Sequence, residues 1–425
     1  MRAIVIACVL ALAACGPRDD PAREQGKDLG ESPSAKQAAL WEAFGSASAA
    51  SPGDAEVDKA ELNAFFSKLG ADQRASDGPA IVASWDYVMT LDLVEQQGFA
   101  LPPGADKLKF AAAMGKSQAE RLKTAAKFGA WDQHEITKIV YLDTKDRDEL
   151  QLYLRQYSHV TGAGRTRWWL RKRQGSWAVY DFEELTAGLR MSTIIGVGLV
   201  GARDKASWGA HSDDLMAALQ AAGEGRLDDV ESSMKKVRGV KFPAPLQAYI
   251  HYIEGSLHVG KNELDAALSE YDRGLKLNPN AINVQLARMS ALNLKGDFKA
   301  ALEAGGTYEA AIGTDADLKL EYARARKGLK ETEAAERLLK SCLDEVADQT
   351  ECLGELAELL PPARQSELDS RLTKLKDFDG SLRGALDLCT EHRTKLGARA
   401  LLEAAKRVRA TSPVIGEYGP RVKAL

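Results

Sequence analysis

A self-similar period near 34 residues in the second half constrains this 425-residue chain more than any other feature. Gly225-Arg226-Leu227-Asp228-Asp229-Val230 is followed by Asn262-Glu263-Leu264-Asp265-Ala266-Ala267. Gly296-Asp297-Phe298-Lys299-Ala300-Ala301 and Lys330-Glu331-Thr332-Glu333-Ala334-Ala335 come next, at intervals of 37, 34 and 34 residues. A repeat of this length is one supersecondary unit that cannot bury its apolar face alone, so at least three must stack. About four units fit 207–346. Helical sequence continues through 347–425, enough for a fifth unit and a cap.

The fullest unit runs Leu246–Asn280. It resembles the tetratricopeptide repeat position by position. The resemblance places Gly255 where two helices approach, Ala267 facing them, Tyr271 in the gap and Asn278-Pro279 at the end of the second helix. Ala218 and Ala323 also match the small positions. Met289 stands where a small residue is expected and Gly305 where an aromatic is, so the third unit is expected to pack loosely or with a shifted helix. The resemblance further implies an all-α solenoid whose first helices line a partner groove. That groove would contain Tyr249, Tyr252, Ser256, Asn283, Leu286, Ser290, Asn293, Arg324 and Lys327. Its asparagines and cations would hold a peptide carboxylate while the tyrosines contact apolar parts. The plainer reading is a set of ordinary exposed helix residues.

Residues 37–201 show two periods in succession. Leu62, Phe65, Phe66 and Leu69 form one helical face, Trp85–Leu93 continues less cleanly, Pro102-Pro103-Gly104 interrupts, and Asp106–Lys127 resumes. Then Ile136–Leu142, the alternation of Leu150, Leu152 and Leu154, Arg165–Arg173 and Ser176–Phe182 read as four antiparallel strands, with a hairpin turn at Gln174-Gly175. This order gives an α+β domain. Gly175-Ser176-Trp177-Ala178-Val179-Tyr180-Asp181-Phe182 resembles the last-strand motif of NTF2-like domains. That resemblance implies a curved sheet around a cavity and, as an alternative function, small-ligand binding or isomerase-like catalysis with Asp181 as base. Asp181 equally suits a turn cap, His134 and His159 sit at strand ends, and no spacing pairs a nucleophile with a base. The expectation is therefore a protein that is not an enzyme and needs no cofactor.

Two further motifs have a bland reading beside a sharp one. Arg165, Arg167, Arg171, Lys172 and Arg173, with Trp168 and Trp169 among them, suit either an anionic ligand or a charge-guarded sheet edge, and the edge is favoured. Gly196-Val197-Gly198-Leu199-Val200-Gly201 matches G-x-G-x-x-G, but it follows an antiparallel hairpin rather than a parallel strand. A flexible junction at 196–201 is expected, with no nucleotide.

The chain begins Met1-Arg2, runs apolar through Ala14, and continues Cys15-Gly16-Pro17. This is a signal-peptide layout over 1–14, too short to cross a bilayer. Leu12-Ala13-Ala14-Cys15 resembles the lipobox of bacterial lipoproteins. The resemblance implies cleavage before Cys15 and acyl chains, palmitate included, on Cys15. Gly16 leans towards the outer membrane of the cell envelope. Residues 15–36 hold three prolines and one large apolar residue, a tether with a reach of roughly 25 Å. Net charge is only -4, with signs interspersed, which gives no footprint for nucleic acid. Cys342 and Cys352 are close enough to staple neighbouring helices, leaving Cys389, and no spacing fits a metal site. Together these features lead to a lipid-anchored scaffold for an envelope protein partner.

Overall fold

The computed structural model describes residues 52–101, 104–129, 131–142, 147–158, 162–185, 188–201, 208–224, 226–391 and 394–425. The signal segment, Cys15, the tether and His159 lie outside them. The chain divides into two compact units, 1–284 and 285–425. The first unit joins the α+β part to two helix pairs, where the sequence placed a junction at 196–201.

Four helices open the described chain: α1 (Pro52–Ala75), α2 (Gly78–Ala83), α3 (Tyr87–Gln96) and α4 (Lys107–Gly129). Asp77 and Asp86 start α2 and α3 by accepting the backbone N–H of Ala80 and Met89. These donors have no partner within the first helical turn itself. The α1 stripe behaves as its spacing demands: Leu62, Phe66 and Leu69 are buried and Phe65 packs beside them.

Five strands follow: β1 (Gln133–Tyr141), β2 (Glu149–Ser158), β3 (Gly162–Arg173), β4 (Ser176–Glu184) and β5 (Leu189–Arg190). They form an antiparallel meander in chain order. Gln174 and Gly175 have φ of 50° and 80°, the backbone that matches the twist of a two-residue hairpin. One sheet face buries Leu150, Leu152, Leu154, Trp168, Leu170 and Val179 against Leu62, Phe66 and Ile81. The Trp168 ring centroid lies 5.2 Å from Phe66 and 5.1 Å from Phe182. Burial of each large side chain contributes about 1.5–3 kcal/mol.

Helix α5 (Met191–Gly201) contains the whole G-x-G-x-x-G stretch. This corrects the expected flexible junction. Val197 and Leu199 are buried, and a Cβ on Gly196 would lie 2.4 Å from the Phe99 ring. The glycine serves close packing, and the motif lacks the strand-to-helix turn that aims amides at a pyrophosphate.

Helix pairs then follow: α6 (Ser212–Glu224) with α7 (Leu227–Val237), and α8 (Ala244–Gly260) with α9 (Leu264–Leu277). Leu215, Ala218, Val230, Met234, Leu246 and Ile253 from these helices share one core with Leu91, Val94 and Phe99. The pairs continue with α10 (Ile282–Lys295) and α11 (Phe298–Ile312), then α12 (Ala316–Gly328) and α13 (Thr332–Glu345). The remaining helices are α14 (Thr350–Leu359), α15 (Glu367–Leu372), α16 (Phe378–Glu391), α17 (Lys395–Val408) and α18 (Pro413–Ala424). Cys342 and Cys352 are disulfide-bonded within the core of the second unit, where Cys389 is a buried free thiol.

The repeat register is a backbone register. Asn262, Gly296 and Lys330 occupy the same turn position and all have positive φ, at 59°, 85° and 65°. Gly255 meets Tyr271 as the repeat pattern requires, since a Cβ there would lie 2.4 Å from the ring. The third pair is not loose, contrary to expectation. Met289 is fully buried, and its Sδ and Cε come within 3.0 Å of where a Gly305 Cβ would sit. The large and small residues have exchanged places across the helix contact.

A left-handed backbone at a non-glycine residue is costly. Lys330→Gly should therefore raise stability by about 0.5–1 kcal/mol, after the entropy of the added glycine is subtracted. An unchanged or lower midpoint in denaturant titration would contradict the strain.

Candidate functional site

Two polar assemblies stand out. The first lies in unit 1 on the second face of the sheet, where alternation directs Gln151, Tyr153, Arg167 and Trp169. Arg167 is paired with Glu183 through Nε at 3.0 Å and through a close Nη2 contact, with side chains only 6% and 2% exposed. Burial lowers the guanidinium's pKa, but the facing Glu183 and Tyr153 more than reverse this and hold it above the usual range. Arg167 Nη2 also donates to the Asn280 carbonyl at 3.4 Å. Losing one partner would leave the other as a buried unpaired charge, which costs about 3–5 kcal/mol.

Arg190 Nε donates to Asp181 at 2.7 Å, and the Asp181 side chain is fully buried. Asp181 accepts further bonds from the backbone N–H of Phe182 and Ser192 and from Ser192 Oγ at 2.7 Å. An exchangeable general base needs reach to a substrate proton. Asp181 has none, because it is a fully engaged anchor. Among the described residues, Trp168, Phe66 and Trp131 fill the sheet face turned towards α1 and α2. His134, in β1, packs 6.1 Å from the Phe66 ring, and burial pushes its pKa down.

The hairpin cations are mostly matched with carboxylates. Arg171 Nε donates to Asp86 at 2.6 Å, and Arg173 lies 3.7 Å from the same carboxylate. Lys172 pairs with Glu61 at 3.5 Å and sits over the Trp177 ring. Arg165 is half-buried. This corrects the expected charge-guarded edge: β3 is the central strand, paired with β2 and β4, and its cations meet carboxylates brought to them by the fold.

The corner between β4 and β5 lies against the helix pairs of the same unit. A Cβ on Gly188, which has φ of 70°, would come 2.3 Å from the Asn283 side chain. Burial raises the pKa of both Tyr249 and Tyr252, and the nearby Glu184 carboxylate adds to it. Ser256 Oγ donates to the Tyr252 carbonyl at 2.9 Å and lies 3.3 Å from the Tyr271 hydroxyl. Tyr249 and Asn283 are therefore packed under the chain's own sheet and do not line an open groove.

The second assembly lies in unit 2 on the first helices of successive pairs. Leu286, Ser290 and Asn293 are partly exposed on α10. Asn293 Nδ2 donates to the Glu321 carbonyl at 2.9 Å and to its carboxylate at 2.8 Å. Arg324 bridges Glu321 at 2.8 Å and Glu355 at 3.3 Å, and Lys327 bridges Glu355 and Glu358, each at 2.8 Å. This corrects the role expected of Arg324 and Lys327. They are neutralised by glutamates that the repeat spacing brings alongside, so neither offers a free charge to a peptide carboxylate. Glu351 lies in the same cluster, and burial pushes its pKa up.

Among the described residues, no group of His, Cys, Asp and Glu is arranged to hold a metal ion. No described helix is long and apolar enough to cross a membrane.

No family model matches the chain, and no curated protein matches it. Solved structures are similar in part. A structure from the functional characterisation of Pseudomonas aeruginosa pilF is 14% identical, covering 50% of this chain and 97% of that one, with a TM-score of 0.33. YrrB, described as a TPR protein with an unusual peptide-binding site, is 16% identical over 45% of this chain and 97% of its own, with a TM-score of 0.26. TTC0263, a thermophilic TPR protein of Thermus thermophilus, is 17% identical over 51% of this chain and 100% of its own, with a TM-score of 0.34.

Because burial holds the Glu351 pKa above its unfolded value, ionisation at neutral pH opposes folding. The penalty fades as pH falls through the folded pKa and is absent below the usual glutamate value. Glu351→Gln should stabilise the protein at pH 7 and have little effect near pH 4. Thermal melts at both pH values check this, and equal effects would refute it.

Proposed function

We propose that the chain is a tetratricopeptide-like interaction protein whose docking surface is the first-helix face of unit 2. The ladder from Asn293 through Glu321, Arg324, Glu355 and Lys327 to Glu358 carries this reading. Fixing long charged side chains across three helices gives a preorganised polar surface, which lowers the entropy cost of binding. Three partly exposed carboxylates (Glu351, Glu355 and Glu358) lie beside two cations, with Glu321 buried behind them, so the surface suits a protein segment bearing Lys or Arg. Leu286 and Ser290 would supply the less polar end.

The lipobox resemblance supports export and acylation at Cys15, with the tether holding this surface near the outer membrane. The NTF2-like character of residues 175–182 fits an α+β module that serves as a mount for the helix pairs. The fully bonded state of Asp181 speaks against catalysis there.

Ser290→Arg adds bulk and positive charge to the face while leaving the ladder intact. In crosslinking and affinity capture from native membranes, this change should remove the captured partner and leave the melting temperature unaltered. Capture undiminished by the substitution sinks the docking surface. Separately, Cys15→Ser should move the protein from the membrane fraction to the soluble fraction. Retention on membranes would refute the anchor and leave the docking surface untouched.

A further inference from the structure

The second face of the sheet carries a cleft that the docking surface does not use. Gln151, Arg167, Trp169, Glu183, Arg190 and Asn280 line it, all within unit 1. Trp169 is 2% exposed, and its indole Nε1–H, like those of Trp131 and Trp177, has no acceptor among the described residues; of the three only Trp169 lines the cleft. A buried donor without an acceptor is costly, and native structures rarely keep one without a reason. We propose that this cleft binds a neutral carboxamide head group, with the Trp169 indole N–H donating to its oxygen.

Size, charge and stacking each narrow the ligand. The interior space is about 30 Å³, room for roughly two or three water-sized groups. A carboxamide has three heavy atoms; a sugar ring or a nucleobase has too many. Stacking is closed off as well, because Arg167 and Arg190 already lie over the Trp169 ring at 5.0 Å and 4.1 Å. Charge is balanced in advance, since Glu183 neutralises Arg167 and Asp181 neutralises Arg190. An ionised ligand would enter without a counter-charge and lose its hydration. What remains is an uncharged group with one acceptor and two donors. The carboxamide of Gln151, 5% exposed, and the Asn280 side chain carry the matching donors and acceptors.

The ligand's source is either an Asn or Gln side chain of a protein or a small free amide, and the two are separable. In proton–nitrogen correlation spectra of the full chain, the Trp169 indole signal is assigned by its disappearance in Trp169→Phe. Acetamide and the peptide Gly-Gln-Gly should shift this signal saturably. Acetate and Gly-Glu-Gly should not. Tighter binding of the peptide assigns a protein side chain, and binding of acetamide alone assigns a small amide. Gln151→Leu should weaken the response about tenfold, a loss comparable to one hydrogen bond. Should that variant fail to fold, Asn280→Ala, at a partly exposed position, serves instead. An indole signal that no probe moves means water alone occupies the cleft and overturns the proposal, as does an equal response to acetate and acetamide.

Discussion

The buried pairs Arg167–Glu183 and Arg190–Asp181 are the constraint on which unit 1 depends. They sit on the sheet face that meets the helix pairs, where an apolar contact alone would tolerate sliding. Charges removed from water must keep close to ideal geometry or lose far more than they gain. The pairs therefore fix the register of β3, β4 and β5 and, through the Asn280 carbonyl, their position against the end of α9. Their net contribution to stability is small. Both pairs also line the cleft beside Trp169, through Arg167, Glu183 and Arg190.

In unit 2 the same chemistry is laid out differently. The 34-residue period that repeats the core also repeats the polar side chains, so each first helix offers carboxylates or cations to the next. Asn293 reaches Glu321, and Arg324 and Lys327 reach Glu355 and Glu358, across helix boundaries for this reason, while Glu321 and Arg324 pair within α12. The disulfide between Cys342 and Cys352 ties α13 to the start of α14 within the apolar core of the second unit.

Local patterns were legible in the sequence, and distant pairings were not. The α1 stripe, the Gln174-Gly175 turn and the shared turn position of Asn262, Gly296 and Lys330 follow from residues close in sequence. The partners of Arg167, Arg324 and Lys327 do not. Counting back from the hairpin turn places Arg167 opposite Phe182. A bulge between Trp169 and Leu170 moves it opposite Glu183, and no residue in the strand announces that shift. Tyr249 and Asn283 were assigned to an open groove because the repeat pattern alone cannot reveal that the β4–β5 corner covers them. The motif left Asp181 open as a base or a turn cap because its donors come partly from Arg190 and Ser192, beyond the motif.

The exchange of Met289 and Gly305 has a consequence for how this chain can vary. Each residue is tolerable only because of the other. Restoring a small residue at 289 alone opens a hole in the core, and restoring an aromatic at 305 alone drives a ring into Met289 and Tyr322. The two positions are thus epistatic. Either single change therefore costs packing that the paired change would keep, so the third helix pair tolerates variation at these positions only when both change together.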